Sequence, residues 1–182
     1  MRFTRRPSPS LWKGAVAGLA GGLAASFAMN QFQAALSAAP RAVSGDEADR
    51  HPGDDPSDEG ETSSEPATVK AASAISEGVF DHELTDEQKE RAGPAVHYAF
   101  GGGTGAAYGA AAEWLPEMTA AAGLPFGTAF WLVADEAAVP ALGLSKAPTA
   151  YPLSVHAESL AAHLVYGLVT EFVRRGVRRL LR

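Results

Sequence analysis

The chain has no cysteine. Disulfide bridges and thiolate metal sites are therefore excluded. Charge is missing where a soluble helix would need it: no ionisable residue occurs from Gly14 to Met29. Large apolar side chains are missing from the opposite kind of segment, His51-Pro52-Gly53-Asp54-Asp55-Pro56-Ser57-Asp58-Glu59-Gly60-Glu61, which has nothing to bury and should be disordered. The run Gly101-Gly102-Gly103-Thr104-Gly105 lacks a Lys-Ser/Thr ending and a preceding strand pattern, which excludes a phosphate-binding loop. No nucleophile–base pair stands out, so an enzyme is not expected.

Averages over this chain describe no real surface. Of the 21 acidic residues, 15 lie between Arg41 and Arg91, and nine of the 15 Lys and Arg sit at the two ends, so the net charge of −6 belongs mostly to one segment. The mean hydropathy of −0.05 is likewise a compromise between that segment and the rest.

The rest contains four apolar stretches, Gly14–Leu36, Pro94–Leu115, Leu124–Leu144 and Val155–Val173. Each approaches the roughly 20 residues a helix needs to cross a bilayer. Only helices and closed barrels satisfy their backbone in hydrocarbon. The expectation is an all-α fold: a four-helix transmembrane bundle with a partly disordered acidic external loop. It divides into a basic N-terminus (1–10), a first transmembrane helix (11–36), the acidic loop (37–92, disordered at about 41–66) and a three-helix region with a basic C-terminus (93–182). The first helix could instead be a cleaved signal peptide ending at Ser37-Ala38-Ala39. Its length and the block Asn30-Gln31-Phe32-Gln33 favour retention.

Arg2, Arg5, Arg6 and Lys13 flank the first crossing, and Arg174, Arg175, Arg178, Arg179 and Arg182 flank the last. The positive-inside rule puts both termini in the cytoplasm and the acidic loop outside. Basic residues beside an apolar helix mark a membrane boundary better than a nucleic-acid face, and no nucleic acid is expected. Trp12, Trp114, Tyr98 and Tyr151 read as interfacial anchors.

Within the loop, Ala67–Val79 is expected to form a short amphipathic helix with Ala71, Ala74, Ile75 and Gly78 on one face. Thr85-Asp86-Glu87-Gln88 is a capping box. Its helix should run to about Ala92 and break at Gly93-Pro94.

Small residues recur every fourth position at Gly14, Gly18, Gly22 and Ser26, and again at Gly101, Gly105 and Gly109. Such faces let helix backbones approach closely, which drives association in lipid. Packing within the bundle is one use of them, and a homo-oligomer seam is the other.

Asp135 and Glu136 fall inside the third apolar stretch, four to five residues before Pro140. Carboxylates there are costly and usually face a bundle interior or a wet cavity. Pro140 should kink the helix at the acid pair. Asp135 is expected to point inward and Glu136 toward a second partner. The fourth stretch carries His156, Ser159, His163, Tyr166 and Thr170 on one stripe. His163 is expected near mid-membrane, level with Asp135, with His97 and His156 near the outer surface. Glu113 and Glu171 are expected near the inner surface, where Glu171 can pair with Arg175. One reading is a polar core that locks the bundle. Another is a proton relay through Asp135 and His163, since such chains carry protons in membranes. A metal would need three or four ligands at one depth, and only Asp135, Glu136 and His163 qualify, so no metal or cofactor is assigned.

Three of these segments carry a resemblance: Gly93-Pro94-Ala95-Val96-His97-Tyr98-Ala99-Phe100-Gly101; Ala134-Asp135-Glu136 with Val139-Pro140-Ala141-Leu142-Gly143-Leu144; and His163-Leu164-Val165-Tyr166-Gly167 with Glu171 and Arg174-Arg175. From about Ala67 to Arg182 the chain resembles the YagU-like family of bacterial inner-membrane proteins (domain of unknown function 1440). The resemblance implies a multi-pass protein of the bacterial inner (plasma) membrane with no established activity. The expected role is therefore non-enzymatic, structural or stress-related, in a lipid bilayer. A proton-linked transporter or channel is the alternative.

Overall fold

The computed structural model describes residues 9–44 and 65–181. Arg2, Arg5, Arg6 and Arg182 lie outside the described residues, as does the part of the acidic run from 45 to 64. Helices α1 (Leu11–Ser44), α2 (Ala67–Phe80) and α3 (Asp86–Trp114) are followed by a 3-10 segment, Pro116–Gly123. Then come α4 (Leu124–Val133), a π-helical turn (Ala134–Ala138), the three-residue α5 (Val139–Ala141) and the long α6 (Leu153–Leu180). The fold is all-α.

α3 starts on the capping box: the Thr85 hydroxyl accepts from the Gln88 amide at 3.4 Å, and the Gln88 side chain accepts from the Thr85 amide at 2.8 Å. The helix does not break at Gly93-Pro94, as the sequence suggests. It runs on to Trp114 with Pro94 inside it. A proline forfeits one backbone bond and costs about 3 kcal/mol in a helix interior. The long packing of α3 against α1 outweighs that, and Pro94 lies on the exposed side of α3.

α1 and α3 run antiparallel with their glycine stripes facing. Gly14 lies against Gly109, Gly18 against Gly105, and Gly22 against Gly101. A Cβ on Gly105 would stand 2.5 Å from the Gly18 carbonyl oxygen and 2.7 Å from the Gly22 Cα. The stripes thus pack within the chain. α6 lies antiparallel to α1, where Gly21 meets the backbone of Thr170. It is antiparallel also to α4, where Gly123 and Gly127 meet Gly167 and His163. Gly123 and Gly127 stand four apart, the spacing of the longer stripes, but one such pair facing a single Gly167 is a much weaker signal than three or four repeats.

α2 turns a different face inward from the expected one. Ala72 and Ser76 are buried, with Val69 beside them against Gly93, while Ile75 is exposed. Of the expected face, Ala71, Ala74, Ile75 and Gly78, only Ile75 has a large apolar side chain, and it is exposed. The burial follows from Gly93, which leaves room for Val69.

Around the middle of the bundle Ala25, Met29, Ala162 and Tyr166 form the apolar core, flanked by Phe32, Phe126, Phe130 and Val169. Phe126 stacks on Tyr108 at 4.0 Å between ring centroids. Phe130 meets His163 edge-on at 5.2 Å and Tyr166 at 5.0 Å.

Among the described residues one helix, over Leu11–Ala38, is long and apolar enough to cross a membrane by length and composition alone. α4 has only ten residues before the π turn, and α6 carries Glu158, Glu171 and four arginines.

Candidate functional site

Two polar clusters occupy opposite ends of the bundle. The first gathers at the end where α1 begins and α3 and α6 finish. Glu171 is fully buried. It accepts from Arg174 at 2.6 and 2.9 Å, from Arg175 at 2.5 Å and from the Tyr108 hydroxyl at 2.9 Å. Four donors converge on one carboxylate, which offsets much of the cost of burying its charge. Arg175 also donates to the carbonyl of Thr119 at 3.1 Å, tying the 3-10 segment to α6. One step further out, Arg178 forks onto Glu113 at 2.6 and 2.9 Å, and the Ser10 amide donates to the same carboxylate at 3.0 Å. The hydrogen-bonded Glu113 carboxylate holds Arg178 protonated more firmly than an ordinary guanidinium. Three separate helices are thereby joined at one end.

The 3-10 segment makes this end possible by climbing beside α6 before α4 starts. It does so through three successive residues with positive φ: Ala121 (46°), Ala122 (56°) and Gly123 (87°). Left-handed backbone is unfavourable for alanine, so packing on α6 holds it there.

The second cluster lies near the start of α6. Asp135 accepts from the Ser159 hydroxyl, and its Oδ2 stands 3.6 Å from His163 Nδ1. That nitrogen is closer to the Ser159 carbonyl, at 2.9 Å, and donates to it. Glu136 Oε1 and His156 Nδ1 are 2.5 Å apart, and His156 Nε2 donates to the Pro148 carbonyl at 3.0 Å. The π turn over Ala134–Ala138 coincides with the acid pair and precedes Pro140. Wider turns of this kind rotate side chains relative to an α-helix. Both acids consequently reach α6, and Glu136 is the more enclosed: 17% of its side chain is exposed, against 37% for Asp135.

Asp135 is level with His163, as the sequence suggests, but the acid pair as a whole lies toward the start of α6 rather than at the middle of the bundle. Asp135 sits beside Ser159, the seventh residue of the 28 in α6, while Tyr166 is the fourteenth. The middle of the bundle is where the Tyr166 hydroxyl donates to the Gly101 carbonyl at 2.6 Å and Ser26 is buried. Asp135, between the levels of Ser159 and His163, is therefore about 4–10 Å from the middle, and Glu136, beside His156, about 15 Å, at 1.5 Å of helix rise per residue. The apolar stretch misled because the 3-10 segment supplies the first part of that traverse, so α4 begins well inside.

The structure brings together Asp135, Ser159 and His163, and separately Glu136 and His156. Glu171 stands at the other end with Arg174, Arg175 and Tyr108. His97 joins neither cluster; it is half-buried on α3, its ring edge-on to Tyr98. The sequence singles out neither Tyr108 nor the pairings of Glu171 with Arg174 and of Glu113 with Arg178, although Arg174, Arg178 and Glu113 stand out individually. Tyr108 lies seven residues after Gly101 and three after Gly105, on the same helix face, and that spacing was the available signal. Among the described residues no three His, Cys, Asp or Glu side chains gather to hold a metal ion.

A family model described as a protein of unknown function (DUF1440) matches residues 64–172. The chain belongs to the DUF1440 family. The DUF1440 match covers α2 through most of α6, and with them Glu113, Asp135, Glu136, His156, His163 and Glu171. α1 and Arg174, Arg175 and Arg178 lie beyond it. No curated protein and no solved structure matches the chain.

Proposed function

We propose that this DUF1440 protein is a multi-pass protein of the bacterial inner membrane with four crossings and both termini in the cytoplasm. Its role is non-enzymatic, and its buried polar clusters lock the bundle. The observation that carries this reading is an inverted distribution of side chains. Glu171, Thr170, Ser26 and His163 are buried, while Trp12, Val16, Leu19, Leu23 and Phe27 form an exposed apolar stripe along α1. Phe100, Leu132, Val133 and Phe172 are exposed on the other helices. Apolar surface of this extent marks a lipid or protein contact. The stripe on α1 runs for about 22 Å at the rise of an α-helix, most of the way across a hydrocarbon core. Trp12 and Trp114, exposed at the end that holds Arg174, Arg175 and Arg178, suit a cytoplasmic interface.

Reporter fusions at Ala120 and Arg182 should read cytoplasmic, and a fusion at Gly60 external. A cytoplasmic signal at Gly60 would contradict the topology. A second reading, a proton-linked transporter or channel, is favoured by the proximity of Asp135 to His163. It requires a path onward to Glu171. Tyr166, which lies between them on α6, gives its proton to the Gly101 carbonyl, so the structural reading is the better supported. Proton flux in proteoliposomes would reverse that preference.

A further inference from the structure

We propose that Glu136 and His156 form a proton-controlled latch, closed while a proton is shared between them and open once it is lost. Pro148 offers a carbonyl, which only accepts, so His156 Nε2 carries a hydrogen. In a neutral imidazole Nδ1 would then be a bare lone pair. It stands 2.5 Å from a carboxylate oxygen, a separation that requires a hydrogen between the two atoms. The pair therefore holds one proton more than a neutral histidine and a carboxylate together. Whether that proton is drawn on Nδ1 or on Glu136, the geometry is the same. Removing it leaves the ring one hydrogen for two acceptors, the Glu136 carboxylate and the Pro148 carbonyl, so one of the two contacts must open.

What the latch holds follows from the elements it joins. Glu136 belongs to the π turn, Pro148 to the connection between α5 and α6, and His156 to the first turn of α6. His156 is thus the clasp of a loop that begins at Gly143, whose φ is 72°. Within that loop the Lys146 amide donates to the Tyr151 hydroxyl at 3.3 Å. The other titratable groups near the pair are Asp135 on the π turn, Lys146 and Tyr151 on the connection, and Glu158 and His163 in the first three turns of α6; Tyr166, Glu171 and the α6 arginines lie further along that helix. Asp135 is engaged by Ser159, and Glu158 is exposed. None of them takes the place of Glu136 at Nδ1, which Glu136 already occupies.

The absence of cysteine makes the test clean. A spin label on Thr149→Cys, an exposed position in the connection, reports its mobility in the purified full chain between about pH 5 and pH 10, which brackets imidazole titration. The parent should pass from an immobile to a mobile spectrum as pH rises, with one midpoint. Glu136→Gln should stay immobile throughout, because an amide can donate to the imidazole or accept from it. His156→Phe should be mobile throughout, and His163→Gln should keep the parental midpoint. A parent spectrum that does not change with pH would overturn the latch. So would a parental transition that survives in Glu136→Gln. The Glu136→Gln comparison decides the matter even if His156→Phe does not fold.

Discussion

Gly105→Leu should prevent stable assembly of the bundle, whereas Gly103→Leu should leave it almost unchanged. The two positions are two residues apart on α3 and differ only in what they face. A Cβ on Gly105 meets the backbone of Gly18 and Gly22 at 2.5–2.8 Å, and backbone cannot rotate aside. A Cβ on Gly103 meets nothing within 4 Å. Overpacking ordinarily costs about 1–3 kcal/mol and sometimes more. Here no rotamer relieves the clash, so the loss should be at the top of that range or above, while Gly103→Leu should stay within about 0.5 kcal/mol. Thermal or denaturant unfolding in detergent measures both. Equal stability of the two variants would mean that α1 and α3 do not meet through these stripes.

Arg174→Ala should be the most damaging substitution of a charged side chain. Arg174 is 8% exposed and donates two bonds to Glu171, which has no exposure at all. Removing one partner of a buried ion pair typically costs about 3–5 kcal/mol, because the other charge stays behind. Arg175 and Tyr108 still reach Glu171, so the lower half of that range is expected. Adding Glu171→Ala to Arg174→Ala should cost less than the sum of the two single losses, since both act in one network. Strict additivity would show that the pair is uncoupled.

How far the sequence led depends on the kind of signal. Gly14, Gly18 and Gly22, with Gly101, Gly105 and Gly109, were legible because a four-residue period fixes a helix face. The Glu171–Arg175 contact was legible because it lies within one helix turn. Arg174, at i+3 from Glu171, is an equally available partner by the same rule. The depth of the acid pair in the bundle was not legible. It depends on how Pro116–Gly123 climbs along α6, and that segment rests on left-handed alanines which no propensity favours. The pairing of Glu113 with Arg178 was hidden for a similar reason. It needs the parallel alignment of α3 and α6, two elements 65 residues apart at that contact, and a sequence reading gave no relative register. Pro94 was overread: in α3 a proline marks a cost that packing against α1 exceeds.

In the proposed membrane arrangement the apolar exterior faces lipid and the polar clusters face inward. Spin labels on single cysteines at Leu23, Val133 and Glu87, in the protein reconstituted in bilayers, test it most directly. Labels at Leu23 and Val133 should collide with oxygen dissolved in the bilayer and be shielded from a water-soluble relaxer, and the label at Glu87 should do the reverse. Free access of the aqueous relaxer to Leu23 and Val133 would contradict the account.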